Sequence, residues 1–193
     1  MAESADSKIK NRSKNDRVVL DTNALINLSK LYDWTDIITE ISSKFRVFIP
    51  TPVLYEFQIN QSKMDSSQIQ MAKTIQTLHH QKNHQVSDVE FLFKNQQGTL
   101  EMGVHIVNPS LNEWLAAANR MAVHIEQNNL NSSGIKKRHM DHLIYSVCRN
   151  LFAIMCTDNK KDFLDISKIA SQSWYDGIIE VISLDDLIEL VRN

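Results

Sequence analysis

Strands alternating with helices predict an α/β fold with a mainly parallel central sheet, and three observations carry that reading. Short apolar runs such as Val18-Val19-Leu20 and "LFAIMCT" (151–157) do not alternate with polar residues, which suits strands buried on both faces. Helical spacing of apolar residues returns after each run. Capping and turn residues fall between the two patterns. With 193 residues, 42% hydrophobic and 23% charged, the chain has room for one domain with a substantial core.

The first residues, "MAESADSKIKNRSKND", carry no apolar core; 1–16 reads as a solvated, flexible tail rather than a secretory signal, and the domain is expected over 17–193. After the strand Val18–Leu20, residues 23–31 place Leu25, Ile26, Leu28 and Leu31 on one helical face. A second helix, 33–42, carries Trp34, Ile37, Ile38 and Ile41. "FRVFIP" (45–50) is a strand, and "TPVLYEF" opens a helix with Thr51 as N-cap and Pro52 in its first turn. The segment 60–103 is long and polar but keeps helical signals: Ser87 and Glu90 form a capping-box pattern, and Gly98 is placed to close the helix.

"GVHIVNP" (103–109) supplies another strand. Ser110 and Glu113 form a capping box before a long amphipathic helix, whose stripe of Trp114, Leu115, Ala118, Met121 and Ala122 reads as core-facing, with a dimer-facing role as the alternative. "NSSG" (131–134) is a loop, "KKRHMDHLIYSVCRN" a helix, and "LFAIMCT" the most apolar strand. A short helix near 162–170, the strand "GIIEVIS" and a C-terminal helix capped by Ser183 with Asp186 complete the order.

Composition excludes some functions. No stretch approaches the roughly 20 apolar residues needed to span a bilayer, so no membrane role is expected. A formal net charge of −2 argues against a charge-driven nucleic-acid coat, though not against a local basic patch. Cys148 and Cys156 are the only cysteines, lack metal-pair spacing and sit in apolar context; they read as reduced, buried thiols of a cytoplasmic protein.

Four acids stand apart. Asp21 and Asp158 each directly follow an apolar strand, where sites of parallel α/β folds lie. Glu56 sits early in the helix after "FRVFIP". Asp141 lies at the edge of its helix's apolar stripe, with Ile144 and Cys148 three and seven residues on. Singly, each has an ordinary explanation: an N-cap, a solvated glutamate, a helix-dipole partner, a turn residue. Together they point toward one end of the sheet. Clustered carboxylates repel and need a counter-charge. A hard divalent cation fits an all-oxygen set, and Mg²⁺ or Mn²⁺ fits better than Zn²⁺ where no His or Cys stands at ligand spacing. His79, His80 and His84 approach a zinc-like spacing but lack the glutamate of a zinc-protease motif.

"VVLDTNALI", "TPVLYEF", "MDHLIYSV" and "CTDNKKDF", in that order, resemble the four acidic motifs of PIN-domain nucleases, over roughly residues 17–190. The resemblance implies a three-layer α/β/α sandwich and metal-dependent hydrolysis of RNA. Carried over motif by motif, it implies Asp21, Glu56, Asp141 and Asp158 as the catalytic, metal-binding quartet. It implies Thr22, Asn23 and Thr157 as orienting residues and Asp162 as an outer partner. Against the compact VapC-type toxins of the family, the chain departs in its longer 60–103 segment and its N-terminal tail. The resemblance also raises a toxin–antitoxin role, with an antitoxin protein as partner and a homodimer as assembly.

Lys136, Lys137 and Arg138 precede Asp141, and Lys160 and Lys161 follow Asp158; beside proposed metal ligands they are candidates for RNA phosphate contact, where the ordinary reading is solvated surface. The leading expectation is an endoribonuclease. The alternative is a non-catalytic PIN-like module that binds RNA or protein. A haloacid-dehalogenase-like phosphatase, which needs a second Asp two residues after the first, is set aside because Asn23 stands there.

Overall fold

The computed structural model describes residues 17–59, 64–71, 89–91, 104–128, 131–171 and 179–193. Its strands are β1 (Arg17–Leu20), β2 (Arg46–Pro50), β3 (Val89–Phe91), β4 (Val104–Val107), β5 (Ile154–Cys156) and β6 (Val181–Ile182). Its helices are α1 (Thr22–Lys30), α2 (Trp34–Lys44), α3 (Thr51–Ile59), α4 (Leu111–Asn128), α5 (Ser132–Asn150), α6 (Lys160–Ala170) and α7 (Leu184–Arg192). A short helical stretch at 66–71 follows α3.

Among the described residues the sheet has six strands in the order β3-β4-β2-β1-β5-β6. Five run parallel; β3 pairs antiparallel with β4 at one edge. Val18, Val19 and Leu20 of the central β1 are fully buried, as continuous apolar strands of a covered parallel sheet must be. Helices α1, α2 and α7 pack on one another, and α4, α5 and α6 form a second group, giving the layered α/β arrangement predicted.

The chain leaves β1 towards β2 and β4 on one side, then returns to β5 and β6 on the other. Such a reversal opens a crevice at the carboxyl ends of the two neighbouring strands. Here those ends are Leu20 and Cys156, which are register partners. The next residues are Asp21 on one strand and Thr157-Asp158 on the other.

Four local predictions need correction. The Ser87/Glu90 capping pattern predicts a helix, but Val89–Phe91 is a strand with Glu90 opposite His105 of β4; pairing along the sheet edge, favoured by Val and Phe, outweighs a local capping signal. Ser87, Gly98, His79, His80, His84, the 1–16 tail and most of the 60–103 segment lie outside the described residues. The predicted 131–134 loop is instead a cap: Asn131 Oδ1 accepts from the Gly134 amide at 2.9 Å, and α5 begins at Ser132.

The "LFAIMCT" strand shortens to Ile154–Cys156, because Leu151 and Phe152 close α5. The Phe152 amide donates to Arg149 O at 2.9 Å and the Ala153 amide to Cys148 O at 3.0 Å. That is the bond pair of a Schellman motif, with Phe152 in the left-handed position usually given to glycine, φ 52°.

The α4 stripe is not in the core. Met121 is buried, but Trp114 is 47% and Leu115 54% exposed, and Ala118 and Ala122 are exposed too. The buried side carries Glu113, Arg120 and His124 instead. It packs on α5, which supplies polar partners: Asn150 Nδ2 donates to Glu113 Oε1 at 3.2 Å, Arg120 Nη2 donates to Ser146 Oγ, and His124 Nδ1 lies 2.8 Å from His142 Nε2. Arg120 also lies over the Tyr145 ring. Paired in this way, polar groups tolerate burial.

The Ser110–Glu113 and Ser183–Asp186 capping boxes form as predicted. Cys148 and Cys156 are free and buried; burial holds both thiols well above their usual range, which makes them unreactive. Among the described residues, no helix is long and apolar enough to cross a membrane.

Candidate active site

Asp21 ends β1 only 3% exposed. Its Oδ1 accepts the Ala24 amide at 2.8 Å, capping α1, and its Oδ2 accepts the Thr157 hydroxyl at 2.6 Å. The cap explains why a strand can turn directly into a helix here, and Thr157 ties that turn to the end of β5. Neither partner is a cation. Burial is therefore the main influence on the carboxyl and raises it to about 6; the Ala24 and Thr157 hydrogen bonds oppose the rise, and Asp158 and Glu56 add repulsion.

Asp141 lies on α5. Burial, followed by repulsion from Asp162, Glu56 and Asp21, raises its carboxyl to about 7, and only Arg138 pulls it down. Asp158 and Glu56 thus lie near enough to repel Asp21, and Glu56 and Asp21 near enough to repel Asp141.

Each of the other acids has a local support. Thr22 Oγ1 donates to Glu56 Oε2, linking α1 to α3. Asn27 Nδ2 donates to Asp158 Oδ2 at 2.6 Å. Asp162, nearly buried on α6, accepts from Asn159 Nδ2 at 2.7 Å and pairs with Arg138 Nη2 at 3.1 Å. The Asn159 amide donates to Thr157 Oγ1 at 2.9 Å, so a relay runs from Asn159 through Thr157 to Asp21.

Of the predicted orienting residues, Thr22 and Thr157 thus touch the acids. Asn23 is exposed in the first turn of α1, one turn before Asn27 on the same face. Asn27 is the contact that sequence reasoning missed, and the i, i+4 repeat from Asn23 was the available signal. Among the predicted phosphate-contacting cations, Arg138 pairs with Asp162, Lys160 Nζ pairs with Asp186 at 2.6 Å, and Lys161 is exposed. The side chains of Lys136 and Lys137 lie outside the described residues.

Among the described residues, no group of three or more His, Cys, Asp and Glu side chains is drawn together at metal-holding separation. The donor set nevertheless suits a hard divalent ion. It is all oxygen and partly buried, and burial, with repulsion between neighbouring acids, pushes Asp21 and Asp141 upward. Asp21, Glu56, Asp141 and Asp158 are the residues that would hold such an ion.

A family model described as PIN domain matches residues 18–153. No curated protein sequence matches the chain. Among solved structures, VapBC2 from Rickettsia felis, bound to a DNA fragment from their promoter, has a TM-score of 0.51 at 15% identity, covering 86% of this chain and 97% of that one. DNA-bound VapBC from Salmonella typhimurium has a TM-score of 0.51 at 10% identity, covering 88% and 98%. At these identities the likeness is one of fold.

Proposed function

The chain belongs to the PIN-domain family, and we propose that it is a divalent-metal-dependent endoribonuclease hydrolysing phosphodiester bonds of single-stranded or structured RNA. The observation that carries this reading is Asp21, 3% exposed at the carboxyl end of β1, held by the Ala24 amide and the Thr157 hydroxyl and facing repulsion from Asp158 and Glu56. Carboxylates gathered where their charge is disfavoured are an unstable arrangement without a cation, and perturbed acids cluster at functional sites.

When bound, Mg²⁺ or Mn²⁺ supplies Lewis-acid chemistry: an activated water and charge stabilisation at the phosphate. The chain's own residues fix the acids. Asp21 is held by the Ala24 amide and Thr157, Glu56 by Thr22, and Asp158 by Asn27. Such support keeps donors in place for a transition state rather than leaving them to rearrange.

A mixed RNA pool incubated with Mg²⁺, Mn²⁺ or EDTA tests the reading. Cleavage is expected with either metal and lost in EDTA and in Asp21→Asn, which keeps the helix cap. Mn²⁺-dependent cleavage by a pure Asp21→Asn sample would sink it.

We further infer, from the family and the likeness to the VapBC structures, that the protein is the toxin of a toxin–antitoxin pair and that it acts in the cytoplasm. Co-purification with a small antitoxin supports that role; harmless overexpression of the folded chain counts against it. The exposed apolar face of α4 is where we place a homodimer contact. The alternative is a non-catalytic PIN-like module that binds RNA or protein. Metal titration separates the two readings.

A further inference from the structure

We propose that the cavity between α4, α5 and α6 is a nucleotide subsite of the RNA cleft, receiving the base and ribose beside the phosphate to be cleaved. The proposal rests on the ribonuclease reading and deepens it. The cavity has a volume of about 340 Å³, within the range of roughly 300–1,000 Å³ usual for small-ligand sites.

Its position follows from Arg138, which lines the cavity and also borders the acids. Arg138 stands one helical turn before Asp141 on α5, and its Nη2 meets Asp162 at 3.1 Å. A guanidinium has five N–H donors in a planar fork, so that pairing leaves others for a phosphate. On α6, Asp165 of the cavity lies one turn beyond Asp162 of the acidic crevice. A strand crossing the acids therefore meets Arg138 first and the cavity next.

The lining suits a nucleotide rather than a bare anion. Arg138 and Lys168 carry positive charge, and Lys168 Nζ is shared with Asp165 at 3.1 Å. Asn128 presents an amide whose Nδ2 already donates to His124 O at 3.2 Å, leaving its second N–H and Oδ1 to meet a base edge or a 2′-hydroxyl, and Ile169 adds an apolar surface. His124 lines the cavity with Nδ1 already engaged by His142. Burial, followed by the nearby Arg138, holds that imidazole below its usual range, against Asp165 and Asp162. A site for phosphate alone gains nothing from the Asn128 amide and the isoleucine.

The test is a ¹H–¹⁵N titration of the full chain with each 5′-nucleoside monophosphate in turn, and with inorganic phosphate. At least one nucleotide is expected to shift the amides of 124–128 and 165–169 saturably, with phosphate alone at least tenfold weaker. Lys168→Ala, on an exposed side chain, should weaken that nucleotide about five- to tenfold and leave the rest of the spectrum unchanged. No saturable shift in these segments with any nucleotide overturns the proposal, and so does phosphate matching the best nucleotide in affinity. Wild type that cleaves RNA while nucleotides miss this cavity defeats the subsite alone. Nucleotide binding here by a protein that cleaves no RNA supports the ligand and removes the cleavage reading.

Discussion

Thr157 donates its hydroxyl hydrogen to Asp21 Oδ2 at 2.6 Å, joining the carboxyl ends of β1 and β5 through two side chains 136 residues apart in sequence. Thr157 is fully buried and also accepts the Asn159 amide. The bond favours the ionised form of Asp21, the form able to hold a cation.

Thr157→Val keeps the shape and removes the donor. The Asp21 carboxyl then rises above about 6, so the acid-side fall of kcat/KM for RNA cleavage moves to higher pH. Leaving the Asn159 amide without its acceptor also destabilises the fold by about 1–3 kcal/mol. Thr157→Ser should restore both. A pH–rate profile whose acid limb does not move in Thr157→Val contradicts the role given to this hydroxyl.

Asp21 and Asp141 also link stability to pH. Both are raised from 3.8, to about 6 and about 7, so the folded state retains protons that the unfolded chain has released. Their stabilising contribution is complete below about pH 4 and is lost as pH rises through about 6 and 7. His142 acts oppositely. It is pushed from 6.5 to about 3, and its contribution is present above pH 6.5 and lost as pH falls towards 3. In EDTA, Asp141→Asn should therefore gain stability over wild type as pH rises from 5 to 8, by on the order of a few kcal/mol. Urea unfolding at the two pH values checks it; an unchanged difference refutes it.

Phe152 occupies the left-handed position of the α5 Schellman motif with its side chain 92% exposed. Glycine removes the conformational cost, and little packing is lost. Phe152→Gly is expected to stabilise the protein by about 1 kcal/mol, or about 2–4 °C in Tm for a chain of this size. Thermal or urea unfolding showing a loss of that size would contradict the backbone assignment.

The apolar face of α4 predicts assembly. Trp114→Glu or Leu115→Glu, on exposed side chains, should convert a dimer to a folded monomer in sedimentation equilibrium. A wild-type chain that is monomeric at high micromolar concentration contradicts that placement.

Asp21 and Asp158 were legible because a charge directly after an unbroken apolar strand is visible without knowing what lies beside it. Glu56 and Asp141, ordinary helix residues by local pattern, gained meaning only in combination. Asn27 was hidden because its partner, Asp158, is 131 residues away. The α4 stripe misled for a different reason. Periodicity identifies an apolar face, but it does not reveal that Glu113, Arg120 and His124 on the opposite side find hydrogen-bonding partners on α5 and are buried there instead. At Val89–Phe91 a capping pattern gave way to pairing with β4, which no local window contains.

Mn²⁺ binding followed by electron paramagnetic resonance tests the central claim, that Asp21, Glu56, Asp141 and Asp158 together hold a divalent cation. Wild type should bind Mn²⁺ saturably near neutral pH, more weakly at pH 5 where Asp21 and Asp141 take up protons. Asp21→Asn and Asp141→Asn should each lose at least tenfold in affinity. No binding by the folded wild type, or binding unchanged in both variants, would contradict it.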